Sequence, residues 1–121
     1  MSNKYTRPNP AQRRAAHVLW EGNVLVNGVA ITVYIPLSGA QIARVRFKAS
    51  CAGVLKAEFV RPTGVRTVYA LLQPDPVTVV AATEVVLDID TTFGEAEALV
   101  TFTPGDAGTV TYADVGYGYA Y

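Results

Sequence analysis

Reactive side chains are scarce in this chain. Among 121 residues there is one cysteine, Cys51, one histidine, His17, and only three serines, Ser2, Ser38 and Ser50. A lone cysteine closes no disulfide within the chain, which fits synthesis in a reducing cytoplasm, and Cys51 reads best as a buried structural thiol. One histidine and one cysteine fall short of the four ligands of a closed zinc site. Nucleophilic catalysis needs a nucleophile, a base and an orienting group, and none of the serines stands in a nucleophile-elbow context with a base in place. These shortages argue against an enzyme and against a cofactor.

Long apolar runs are also missing. Half the residues are hydrophobic and 17% are charged, yet no run approaches the roughly 20 residues that span a bilayer. The opening MSNKYTRPNPAQRR lacks the apolar centre of a secretory signal, so neither export nor a membrane partner is expected.

One sign of charge is absent from half the chain. Residues 1–66 hold all ten Lys and Arg against Glu21 and Glu58, a net +8, whereas residues 67–121 hold eight acids and no cation. At this length one domain is expected. The first 20 residues form a basic arm with Lys4, Arg7, Arg13 and Arg14, and residues 21–121 form the folded domain. Within the arm, Asn9-Pro10-Ala11-Gln12 has the grammar of a helix start, with Asn as N-cap and Pro at the first helical position. A helix ending near His17 is too short to stand alone in water and would need to dock, on its own domain or on a neighbour.

From Gly22 onward the grammar is that of strands, β-branched and aromatic runs punctuated by Gly and Pro. Asn27-Gly28, between two such runs, predicts a type I′ hairpin. Gln41 to Ser50 alternates, with Arg44, Arg46 and Lys48 on one face and Val45, Phe47 and Ala49 on the other. Val54 to Val60 alternates likewise and, through Arg61-Pro62-Thr63-Gly64, predicts a hairpin with residues 65–72. Gln73-Pro74-Asp75-Pro76 reads as a crossing from one sheet to another. About nine short strands without crossover helices predict an all-β fold, an antiparallel β-sandwich of jelly-roll or related Greek-key type. An immunoglobulin-like sandwich is second, its paired cysteines being absent.

The stretch Asp88 to Glu97 packs four acids into ten residues. As an EF-hand loop it fails twice, with Gly94 at position 7 and Leu99 at position 12, although a calcium site of another kind stays open. Strand parity puts Asp88 with Asp90 on one face and Glu95 with Glu97 on one face. Paired as a hairpin, the two strands would bring all four acids onto one surface. Four repelling carboxylates call for cations, and the Arg44, Arg46, Lys48 stripe has matching period-2 spacing. The stripes can meet within one chain or between two copies.

At the C-terminus, Tyr117, Tyr119 and Tyr121 line one face of an extended segment while Gly116, Gly118 and Ala120 leave the other bare. The tyrosines would cover the core edge, meet a partner surface, or stack on sugar rings with Trp20 and Tyr112. Four cations in the arm are compatible with phosphate contacts, but zero net charge and an acidic second half argue against nucleic acid as the partner.

In the order arm, sandwich, split charge and aromatic last strand, with the turn phrases Glu58-Phe59-Val60-Arg61-Pro62-Thr63-Gly64 and Phe102-Thr103-Pro104-Gly105-Asp106-Ala107-Gly108-Thr109-Val110, the chain resembles small structural proteins of tailed-phage virions. It is most similar to head decoration or cement proteins. The resemblance implies a non-enzymatic virion protein, made in the host cytoplasm. It further implies a homo-oligomer, often a trimer, that binds the major capsid protein and clamps a capsid lattice. The competing expectation is a carbohydrate- or receptor-binding module of a phage tail or surface protein. The residues expected at an interface are Lys4, Arg7, Arg13, Arg14, Arg44, Arg46, Lys48, Asp88, Asp90, Glu95, Glu97, Tyr117, Tyr119 and Tyr121.

Overall fold

The alternation in the sequence is the alternation in the structure. A computed structural model describes residues 17–37, 42–61, 67–69, 75–90 and 97–118. Ten strands lie within them: β1 (His17–Trp20), β2 (Val24–Leu25), β3 (Ile31–Pro36), β4 (Ile42–Ala49), β5 (Gly53–Arg61), β6 (Thr67–Tyr69), β7 (Val77–Val79), β8 (Val85–Asp90), β9 (Glu97–Pro104) and β10 (Gly108–Gly118). In β4, Ala43, Val45, Phe47 and Ala49 are buried while Arg44 and Arg46 face outward. The domain begins earlier than Glu21, because β1 already pairs with β10.

All pairs are antiparallel and they nest. The strands β1 and β2 pair with β10, β3 with β9, β4 with β8, and β5 with β6 and β7. The described strands therefore form one long antiparallel ribbon, doubled back between β5 and β6 and rolled, so that successive ribbon segments fall alternately into two sheets. A front sheet runs β1-β10-β4-β8, with β2 beside β1 on β10, and a back sheet runs β3-β9-β5-β6, with β7 beside β6 on β5. This is the jelly-roll form of the β-sandwich. The predicted hairpin after Val60 is present as the β5–β6 pair, Phe59 opposite Tyr69.

Three local expectations are corrected. Around Asn27-Gly28 only Gly28 has a positive φ, +78°, and the Val29 N–H donates to the Val26 carbonyl at 3.0 Å. That is a type II-like turn, and it carries the chain from the front sheet to the back sheet instead of closing a hairpin. Gln73 and Pro74 lie outside the described residues, but the strands on either side of the expected crossing, β6 and β7, both lie on β5 in the same sheet. The strands flanking residues 91–96 do not pair with each other, because β8 lies in the front sheet and β9 in the back. The expected arm helix lies outside the described residues, and His17 itself is in a strand.

Between the sheets the core is apolar. Phe47 of β4 and Phe102 of β9 meet with ring centroids 4.4 Å apart, tying the sheets together, and Trp20 sets its edge against Phe47 at 6.0 Å. Cys51 is buried, as a structural thiol would be.

Candidate functional site

The outer face of the front sheet carries most of the described charge stripe. Along β4, Ile42 stands opposite Asp90 of β8, Arg44 opposite Asp88, and Arg46 opposite Val86. On the other side, Arg44 faces Gly116 of β10, Arg46 faces Asp114, and Lys48 faces Tyr112. Arg44 grips Asp88 with both ends of its fork, Nε to Oδ1 at 2.7 Å and a terminal nitrogen to Oδ2 at 2.9 Å. This hydrogen bond, reinforced by the attraction of the two charges, holds the Asp88 carboxyl below its ordinary range and raises Arg44. The acidic and basic stripes thus meet within one chain at this pair.

Two rungs away, the Tyr112 hydroxyl reaches across β4 and donates to a Glu84 carboxylate oxygen. That bond, with partial burial and the charge of Glu84, pushes the phenol up to about 12. Partial burial also pushes the half-buried Asp114 carboxyl up, against the pull of Arg46. Trp20 is buried and so is no platform for a sugar ring, while the Tyr112 hydroxyl is bound to a charged neighbour.

Other expected residues scatter. Glu97 sits on the back sheet, opposite Pro36 and Val60, so it shares no surface with Asp88 and Asp90. Tyr117 packs against the core, with the His17 ring edge-on at 6.0 Å. Lys4, Arg7, Arg13, Arg14, Glu95, Tyr119 and Tyr121 lie outside the described residues. Among the described residues no three of His, Cys, Asp and Glu gather as a metal would need. The Ser50 hydroxyl accepts from the Thr109 N–H at 2.9 Å, a structural bond that ties a loop to the start of β10.

One surface went unforeseen. The connections 21–23, 26–30, 50–52, 80–84 and 105–107 all lie at one end of the sandwich, and they are laced together. The N–H of Gly28 donates to the Pro104 carbonyl at 2.8 Å, Gly105 to Ala52 at 2.8 Å, and Ala82 to Ala49 at 2.7 Å. Five large apolar side chains among the described residues are more than half exposed, Val18 at 65%, Val24 at 77%, Val26 at 56%, Val29 at 57% and Val80 at 57%. Four of these belong to this loop end. Turns are ordinarily polar, so the signal lay in the valines that bracket Asn27-Gly28 and in Val80-Ala81-Ala82-Thr83, where Ala82 takes a left-handed φ of 59° usually left to Gly or Asn.

No family model and no curated protein matches the chain. Among solved structures, the fold is similar to part of a family GH115 4-O-methyl-α-glucuronidase, BtGH115A, which has specificity for decorated arabinogalactans. The match has 13% identity and a TM-score of 0.49, and covers 93% of this chain but 19% of that one. At that distance it carries nothing beyond a resemblance of shape.

Proposed function

We propose that this chain is a non-enzymatic assembly protein that binds and stabilises a capsid lattice, as a decoration or cement protein of a virion does. The observation that carries the reading is the laced loop end with its four exposed valines. An apolar surface held rigid by backbone hydrogen bonds suits contact with another protein, because little ordering entropy is lost on docking. The groups that chemistry would need are committed elsewhere: Ser50 to a backbone amide, Cys51 to the interior, Asp88 to Arg44. Each valine buried at a contact contributes on the order of 1.5–3 kcal/mol before the costs of association.

The test mixes the chain with empty shells assembled from a tailed-phage major capsid protein. Co-sedimentation at a saturable ratio, with a higher melting temperature of the shells, is expected. A chain that stays at the top of the gradient at every concentration overturns the proposal.

A further inference from the structure

We propose that the loop end receives the basic N-terminal arm, residues 1–16, of a neighbouring copy, so that chains join head to tail. This rests on reading the chain as an assembly protein and names the partner of its apolar end.

Charge is the first argument. The five connections at the loop end contain Glu21, Glu84 and Asp106 and no Lys or Arg, whereas residues 1–16 contain Lys4, Arg7, Arg13 and Arg14 and no acid. The imbalance extends to the whole domain: residues 17–121 hold ten acids against six cations, net −4, and the arm carries the compensating +4. Two loop ends brought together would set like charges against each other, so a contact between identical ends is disfavoured.

Direction is the second. Strand β1 runs from His17 toward the loop end, since Trp20 pairs with Ala113 and His17 with Val115, further along β10. The arm joins the domain at the end of β1 remote from the loop end, about 13 Å away for four extended residues. Sixteen residues reach up to ~55 Å, enough to cross to a neighbour.

Surface chemistry is the third. Val24 and Val26 point the same way along one extended stretch, and Val26 and Val29 close one turn. This gives aliphatic ground for Tyr5 at the end of the sandwich that also carries Glu21, Glu84 and Asp106. Contacts of this kind, arm into a different surface, are heterologous and build rings or filaments.

The test needs only full-length chains. One variant, Val26→Lys with Val29→Lys, spoils the loop end at two exposed positions; another, Arg13→Glu with Arg14→Glu, spoils the arm. Wild-type protein should scatter light above the monomer mass of 12.9 kDa and dissociate as salt rises and screens exposed charges. Each variant alone should be monomeric with an unchanged melting curve. Mixed one to one, they retain one intact arm and one intact loop end, and should form a dimer of twice 12.9 kDa that grows no further. A wild-type chain that is monomeric at every concentration overturns the inference, and so does a mixture that stays monomeric. Because no shell is present, these outcomes are separate from failure to bind a capsid.

Discussion

Glycine 53 offers the sharpest test of the jelly-roll register. It opens β5 between Pro104 of β9 and Val79 of β7. A methyl group built there would lie 2.5 Å from the Thr103 carbonyl oxygen and 2.6 and 2.7 Å from Cζ and Cε1 of Phe102. The oxygen is backbone in a paired strand. The ring is fully buried and leans on Phe47 at 4.4 Å, so it gives way only by disturbing the contact that joins the sheets. Overpacking of this kind costs typically 1–3 kcal/mol and sometimes more, and with two unyielding neighbours Gly53→Ala belongs at the upper end, about 3 kcal/mol. For a chain of this size that is a fall of roughly 10 °C in melting temperature. Gly116→Ala is the control: nothing lies within 4 Å of the added carbon and the backbone is not left-handed. Removing a glycine's unfolded-state freedom there should stabilise by about 0.4–1 kcal/mol. Urea unfolding followed by Trp20 fluorescence measures both. A Gly53→Ala protein within about 1 kcal/mol of wild type refutes the packing at the start of β5.

Two pH dependences follow from the front sheet. The Tyr112 phenol is pushed up to about 12 from the ordinary value of 10, so the Tyr112→Phe protein should lose a late component of the absorbance titration at 295 nm, and Glu84→Leu should return that component toward 10. The folded value is raised, so the stabilisation is present below pH 10 and fades as pH rises through 12; equal alkaline loss in wild type and Glu84→Leu would contradict the bond. Asp88 is shifted the other way: its contribution is present above the ordinary value of 3.8 and fades as pH falls through the lower folded value. Asp88→Asn should lose stability at neutral pH and show a shallower acid decline, read from urea midpoints between pH 2 and 7. Parallel curves would count against the Arg44–Asp88 bridge.

What the sequence revealed depended on the range of the interaction. The faces of β4 were legible because period-2 alternation is a property of neighbouring residues, and the jelly-roll class followed from strand count and the absence of helices. Pairing was legible at the β5–β6 hairpin and hardly beyond it. Residues 91–94 look like a hairpin turn, yet β8 pairs with β4, where Asp88 meets a residue 44 positions earlier. Asn27-Gly28 looks like a type I′ turn, yet the flanking strands belong to different sheets. A local turn states that the chain reverses and says nothing of which sheet receives the next strand. The exposed valines of the loop end were hidden for a different reason: a hydropathy count assigns valine to the interior, and only its place beside a turn marks it as surface.

The nested topology gives the charge split a meaning that composition alone did not. The ribbon doubles back between β5 and β6, and the boundary between the +8 and −8 parts of the chain falls after Arg66, immediately before β6. In a nested ribbon each strand before the fold lies beside one after it: β3 beside β9, β4 beside β8, β5 beside β6 and β7. A cationic first half and an anionic second half are therefore brought side by side, and Arg44 with Asp88 is a described pair of opposite charges bonded across the ladder; Lys56 and Glu58 also meet, at 3.6 Å, along β5 itself. Opposite charges across a ladder stabilise and like charges directly opposite destabilise. Pairing β4, with Arg44, Arg46 and Lys48, against another cationic segment would set like charges face to face, so the Arg44–Asp88 rung favours the nested register over alternatives that the apolar pattern alone would tolerate. The arm is the part of the cationic half that lies beyond the first strand of the ribbon. Its four positive charges balance the net −4 of residues 17–121.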